Sequence, residues 1–380
     1  MLRAIIPYIL ISLPLCYGLF SLVCARRFFS RPPHVDEFTP PITILKPVKG
    51  GDDESFENFA SFCRQDYPCF QIVFAVAEEE DPAVSVIRRL MNEYPAVDMS
   101  LVIDPAVHGP NYKVCNLMHA YPLARHDILI VCDSDIRVDP DYLRQVASPF
   151  RDNSVGLVTS LYRSPRVRNI PTALEAMGFT AEMIPNVMVA LSLEGLTFAL
   201  GASMAVRRET LEKIGGFQSL VDYLADDYQL GNMIHRAGYR LELSAFFVES
   251  VMRRESLSGV LSRQLRWART MRASRPAGYF ASVVTQPVPA IILALAVSGF
   301  SMHGWIAAGI LGVSRLLVCM VFSRAFVRDG LFPRFLWLLP LRDILAFGVW
   351  ALSFLGSRVV WRSRVFTVLA GGTLRDLGEA

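Results

Sequence analysis

The sequence predicts an α/β domain on a mostly parallel, Rossmann-like sheet, held at a membrane by N- and C-terminal transmembrane helices. Three observations predict it. Apolar stretches nearly free of charge are concentrated near both ends, while residues 36–275 read as an ordinary mixed domain. Within that domain, apolar runs of about five residues alternate with helical patterns of about ten, the rhythm of βαβ crossovers. Arginines gather at the borders of the apolar segments, as positive-inside flanks do. The composition agrees. The 380 residues are 52% hydrophobic and 19% charged, with a mean hydropathy of +0.35. That is more apolar than a soluble domain, at about 45–50% apolar and 25% charged, yet too water-compatible for a polytopic transporter. A disordered chain, a fibrous repeat and a small disulfide scaffold are excluded.

The elements follow in order. Residues 5–24 are about one bilayer thickness of apolar chain, interrupted only by Pro7 and Pro14. The run ends in Ala25-Arg26-Arg27, not in a small-residue cleavage site, so it predicts a retained anchor with residue 26 onward in the cytoplasm. A Pro-rich linker (Arg31-Pro32-Pro33, Pro40-Pro41) leads to a strand at 42–45, a helix at 56–63 and a strand at 71–77. A helix at 82–93 follows, with Asp81 before Pro82 marking its start. A strand at 99–103, a helix at 113–124 and a strand at 127–132 continue the pattern. In such sheets ligands sit beyond the carboxyl ends of the strands. Residues 183–206 are apolar too, but hold Pro185 and Glu194, and read as a buried or interface-lying segment of the same domain.

Beyond Ala277, residues 283–300 and 305–322 are predicted to span as a helical hairpin joined at Met302-His303-Gly304. Residues 335–355, divided by Pro340, Arg342 and Asp343, read either as a span or as a re-entrant segment. A span would put Arg358, Arg362 and Arg364 on the outer side, against the positive-inside rule. The expected organisation is an anchor with basic flank at 1–30, a catalytic domain at 40–250 and an interfacial amphipathic segment at 251–280. A membrane region at 283–356 and a basic tail at 357–380 complete it. Net charge is +3, and the arginines from Arg253 to Arg275 border apolar segments. They read as lipid-headgroup contacts, so the bilayer is an expected partner and nucleic acid is not. Seven cysteines, with only Cys63 and Cys69 closely spaced, read as free thiols.

The sharpest chemical signal is Asp133-Ser134-Asp135 at the end of an apolar strand. Two carboxylates one residue apart can share a divalent cation, and Mg2+ or Mn2+ prefers such hard oxygen ligands. A solvated turn is the plain alternative. A phosphatase nucleophile is another, but that chemistry favours the first strand, and three βα units precede this one. Glu78-Glu79-Glu80-Asp81 follows another strand and is either a solvated loop or the source of a nucleobase-binding carboxylate. Asn111-Tyr112-Lys113 opens a helix and offers either capping or a cation for phosphate or base. Asp226-Asp227 is either a helix N-cap with a spare acid or a pair whose mutual repulsion suits a general base. Arg263-Gln264-Leu265-Arg266-Trp267 reads as an interfacial helix, with an arginine fork able to neutralise a diphosphate and an indole to floor a sugar or headgroup.

In that order these motifs resemble a membrane-anchored family 2 glycosyltransferase of the GT-A fold, in particular the ceramide-glucosyltransferase-like branch, family 21. The resemblance runs from Ile44-Leu45-Lys46-Pro47 to Gly371-Gly372-Thr373 and includes Arg64-Gln65-Asp66-Tyr67-Pro68, Asn116-Leu117-Met118 and Ala225-Asp226-Asp227-Tyr228. Within the branch, Gly156-Leu157-Val158-Thr159, Leu230-Gly231-Asn232 and Leu265-Arg266-Trp267 are most similar to bacterial hopanoid-biosynthesis glycosyltransferases.

The resemblance implies a UDP-sugar donor, glucose or N-acetylglucosamine as the sugar, and a hopanoid polyol or ceramide as acceptor. It implies a multi-pass protein of the bacterial inner membrane with its catalytic domain in the cytoplasm. Glu78 or Asp81, with Lys113, would hold uridine. Asp133 and Asp135 would hold ribose and the metal on the diphosphate, either Mg2+ or Mn2+. Asp227 would be the base, Asp226 its neighbour, and Arg263, Arg266 and Trp267 the family's (Q/R)-x-x-R-W. The alternatives are a processive polysaccharide synthase and an inactive membrane scaffold.

Overall fold

A computed structural model describes residues 2–30, 38–361 and 364–379. The linker at Arg31-Pro32-Pro33 and the basic Arg362 lie outside the described residues. The chain divides into two discontinuous units. One comprises Pro32–Ser164 and Glu194–Met252, the other Met1–Arg31, Pro165–Leu193 and Arg253–Ala380.

The first is the α/β unit. Its strands are β1 (Ile42–Pro47), β2 (Phe70–Val76), β3 (Asp98–Ile103), β4 (Ile128–Cys132), β5 (Ile136–Arg137), β6 (Val155–Arg163), β7 (Ser203–Arg207) and β8 (Arg240–Ser250). They form one sheet in the order β3-β2-β1-β4-β7-β6-β8-β5. The pairings among β1, β2, β3 and β4, and that of β6 with β8, are parallel, whereas β7 runs against both β4 and β6. Every residue of β1 and β4 is buried. Helices cover both faces, which is why these strands read as unbroken apolar runs and not as alternating ones. The core beneath them is built on Phe59, Phe62, Phe74, Tyr142 and Phe150, none more than 1% exposed. Between β1 and β4 the strand order reverses, and in open α/β sheets that is where a ligand cleft opens.

The second unit is dominated by apolar helices. Leu2–Phe29, Ile170–Glu194, Met302–Val327 and Leu331–Ser353 contain stretches long and apolar enough to cross a membrane, and Pro276–Thr285 with Pro287–Ser298 would add a bent fifth.

Three expectations change here. Residues 183–206 are not one segment of the α/β domain. Their first part belongs to a helix that starts at Ile170, behind an Asn169–Thr172 capping box, and Glu194 is its last residue; their last part is β7. Residues 283–300 are not one straight span, because Pro287 forces Gln286 into an extended conformation (φ −87°, ψ 134°) and the helices on either side meet at 58°. The basic tail is an antiparallel sheet of β9 (Arg358–Trp361), β10 (Arg364–Val368) and β11 (Leu374–Glu379). In 335–355, Pro340 lies in the first turn of the helix Leu339–Ser353, where its missing N–H costs no bond.

Candidate active site

The site is assembled from three helix or strand ends. Asp133 and Asp135 leave β4, and the Asp133 N–H donates to the Ala202 carbonyl at 3.3 Å. Lys113 lies in the first turn of the helix Tyr112–Ala120, whose start is fixed by Asn111 accepting from the Val114 N–H at 3.1 Å. Its Nζ stands 2.8 Å from Asp133 Oδ1 and 3.2 Å from Asp226 Oδ2, so one cation ties the acids of two elements together. Asp226 and Asp227 open the helix Asp226–Arg236. Neither is the N-cap, a position held by Ala225 without a side-chain cap, so both carboxylates sit in the first turn where the helix dipole favours anions. Asn111 Nδ2 donates to the Tyr223 carbonyl at 2.8 Å and reaches Asp226 Oδ1 at 3.4 Å, binding the two helix starts to each other.

Four carboxylates around one lysine leave negative charge in excess. Asp227 is half-buried, and its limited hydration, with the neighbouring Asp226 carboxylate, pushes its pKa up to about 6. Asp135 remains accessible at the cleft surface, yet the surrounding protein and the Asp133 carboxylate push it to about 6 as well. Burial opposes the charge on Lys113, but Asp133 and Asp226 outweigh it and hold the ammonium well above its usual range.

Three residues without a role in the sequence reading support these groups. Lys46, at the inner end of β1, is fully buried and donates to the Asp133 backbone carbonyl at 3.1 Å, with its ammonium 3.7 Å from the centre of the Phe62 ring. Its signal was a charge directly after the run Ile42-Thr43-Ile44-Leu45, still within the strand. Gly201 leaves the space beside Asp227, for a Cβ there would stand 2.8 Å from Asp227 Oδ2. A Cβ at Gly231 would meet the Ala199 backbone nitrogen at 2.4 Å. The helix bearing Asp226 and Asp227 therefore seats directly on the 198–199 backbone, where Phe198 stacks with Tyr228 at 6.4 Å.

Asp133, Asp135, Lys113, Asp226 and Asp227 thus share one cleft. Asp81 is engaged elsewhere: its carboxylate accepts from the Gly50 N–H at 2.8 and 3.0 Å and from the Ala83 N–H at 2.9 Å, as the cap of Pro82–Glu93. Glu78 is exposed, 3.6 Å from the Lys49 ammonium. Arg263, Arg266 and Trp267 lie on the helix Leu257–Ser274 of the second unit, the one dominated by apolar helices. Arg263 forks onto Glu175 at 2.7 and 2.8 Å, the Arg266 guanidinium lies 5.9 Å from the Trp361 ring centre, and Trp267 is 39% exposed.

The donor set suits a hard divalent cation. Asp133 and Asp135 are carboxylates in an acid-rich cleft, and among the described residues no group of three His, Cys, Asp or Glu side chains forms a closed metal cage. One or two carboxylates completed by substrate oxygens and water is how Mg2+ is commonly held.

Comparison with known proteins places this geometry in a family. The chain is 26% identical over 349 residues to ceramide glucosyltransferase 3 of Caenorhabditis elegans, covering 89% of this chain and 75% of that protein. It is 36% identical over 142 residues to a ceramide glucosyltransferase of Komagataella phaffii, covering 36% of this chain and 27% of that one. Among solved structures, a mannosyltransferase from Pyrobaculum calidifontis in complex with GDP-Man and Mn2+ superposes with a TM-score of 0.57 at 19% identity, over 93% of this chain and 99% of the other. That likeness is one of fold, and the fold is GT-A. The sequence model of glycosyl transferase family 21 matches residues 6–374, and the chain belongs to that family.

Proposed function

We propose that the protein moves a single sugar, glucose or N-acetylglucosamine, from a UDP-sugar to a hydroxyl of a membrane lipid, a hopanoid polyol or a ceramide, with inversion at the anomeric carbon. The observation that carries this reading is the Asp227 carboxylate, pushed up to about 6 beside Asp226 in a cleft whose other wall is Asp133 and Asp135. A group of that pKa is ionised at neutral pH and still basic enough to take a proton as a bond forms.

In the proposed reaction Asp227 accepts the proton of the lipid hydroxyl. The freed oxygen attacks C1 of the sugar from the face opposite the nucleotide, and the C1–O bond to the diphosphate breaks with its electron pair leaving on UDP. One base suffices, so no protein nucleophile is required. Lys113 keeps Asp133 and Asp226 in place, and Lys46 fixes the carbonyl at the end of β4. Mg2+ or Mn2+, held by Asp135 and Asp133 with oxygens of the donor, is the group that would offset the diphosphate charge. Arg266 is assigned to the leaving diphosphate, Trp267 to the acceptor side, Arg263 to holding their helix, and Glu78 or Asp81 to the uracil. Arg26 and Arg27 in the last turn of Leu2–Phe29 support an inner-membrane protein with its α/β unit in the cytoplasm.

The test is to incubate the purified protein with Mg2+, a panel of UDP-sugars and bacterial lipid extract, and to identify products by mass spectrometry. One hexose or N-acetylhexosamine added to a lipid is expected. No lipid product from any donor would overturn the reading.

A further inference from the structure

We infer that the membrane unit carries a binding pocket of its own, which takes a neutral hydroxyl of a lipid headgroup. The idea that the lipid is of the acceptor's class rests on the function proposed above; the pocket itself does not. It is a cavity of about 20 Å3 bordered by Tyr17, Glu182, Asn186, Gln286, Arg315 and Asp343, with Ala346 on its wall. Each apolar helical segment of the unit contributes. Tyr17 comes from Leu2–Phe29, Glu182 and Asn186 from the helix ending at Glu194, and Gln286 from the break before Pro287. Arg315 comes from Met302–Val321, and Asp343 from Leu339–Ser353. Polar groups among segments of this kind are costly, and where they cluster they mark a ligand or a path.

The chemistry of the lining selects the ligand. Its charges cancel in pairs. Arg315 donates to both oxygens of Asp343 at 3.2 and 3.0 Å and to the Ala181 carbonyl at 2.9 Å, and Arg342 pairs with Glu182. An ion entering the pocket would therefore be uncompensated, and a neutral group is favoured. The Tyr17 hydroxyl donates to Asn186 Oδ1. Gln286 is 9% exposed, and among the described residues its Oε1 has no hydrogen-bond partner. A buried carbonyl without a donor forfeits the hydrogen bond it would make with water, so the pocket lacks a donor, which a hydroxyl supplies. The size admits one such group, with the remainder of the headgroup outside. The pocket is not sealed, since Asn186 is exposed and the Glu182 side chain is 40% accessible. Glu182 also sits on a π-helical turn, Phe179–Met183, a feature common at functional sites.

The experiment uses the full chain in phosphatidylcholine nanodiscs and a ceramide with a photoreactive acyl chain, beside the same ceramide with its hydroxyls methylated. Saturable capture of the free-hydroxyl lipid is expected at peptides bordering the pocket, with little capture of the methylated one. Gln286→Leu should weaken half-saturation about 3- to 10-fold, the size of one neutral hydrogen bond. Ala346→Leu, which fills the cavity without removing a polar group, should abolish capture while the melting temperature holds. Equal capture of both lipids, cross-links elsewhere in the wild type, or unchanged capture in both variants would overturn the proposal and leave the cavity to a structural water. Capture without sugar transfer would overturn the proposed reaction and keep the pocket; transfer without capture at the pocket would do the reverse.

Discussion

At Asp227 two demands conflict. Catalysis wants a carboxylate that holds a proton loosely but above its ordinary affinity, while folding is favoured by a neutral group at that position. Asp227→Asn should therefore bind UDP-sugar normally and transfer it at least ~100-fold more slowly, the lower scale of general-base catalysis, in a single-turnover assay. If Asp227 is the base proposed above, transfer in the wild type should rise with pH through about 6, since a carboxylate takes up a proton only when ionised. The stability effect has the opposite sense. The folded pKa lies above the unfolded 3.8, so the wild type is favoured below pH 3.8 and loses that advantage as pH rises through about 6. Without divalent cation, Asp227→Asn should melt higher at pH 7–8, by at most about 2 kcal/mol after allowing for partial exposure, with the gain vanishing towards pH 4. Thermal scans across that range check it. Asp133, Asp135, Asp226 and Asp227 were legible in the sequence because chemistry and spacing show in adjacent letters, whereas the run at 78–81 was not, since Asp81 serves as a helix cap. Lys46 and Gly201 were not, since each acts through a residue far along the chain, Asp133 and Asp227 respectively.

Among the elements, the helix Leu257–Ser274 shows how a motif residue can serve architecture. Arg263 neutralises Glu175, a carboxylate only 2% exposed. Arg263→Ala should strand that charge and cost up to about 3–5 kcal/mol, the scale for breaking a buried pair, less what water recovers at the one-third-exposed arginine (34%), read as a fall in melting temperature. Arg263→Met combined with Glu175→Leu should recover most of the loss. In the helix Asp226–Arg236, Gly231→Ala should push against the Ala199 backbone, cost about 1–3 kcal/mol and slow transfer by displacing Asp227. Strands and helices up to Cys132 were readable because Pro82, Asp81 and the buried runs of β1 and β4 are local signals. The start of the helix at Ile170 was missed because its Asn169 capping box lies upstream of the apolar window. The bend at Gln286 was missed because apolarity alone does not register what Pro287 does to the residue before it. The sheet of β9, β10 and β11 was read as a tail because its arginines masked a short alternation.

For the whole molecule, composition separated apolar helices from a water-compatible α/β unit, and that separation stands. It did not show that the chain leaves the α/β unit at Pro165 and returns at Glu194, since contiguous sequence hides a discontinuous unit. On the proposed reaction, an enzyme so divided would do its sugar chemistry on the sheet and meet its lipid acceptor at the apolar helices. The most direct test is the product itself: the mass and anomeric linkage of the lipid formed from an α-linked UDP-sugar, by mass spectrometry and NMR. The account predicts one sugar per lipid, joined in the β configuration, with formation lost in Asp227→Asn. A polymer, an α linkage, or an unchanged yield from the variant would contradict it.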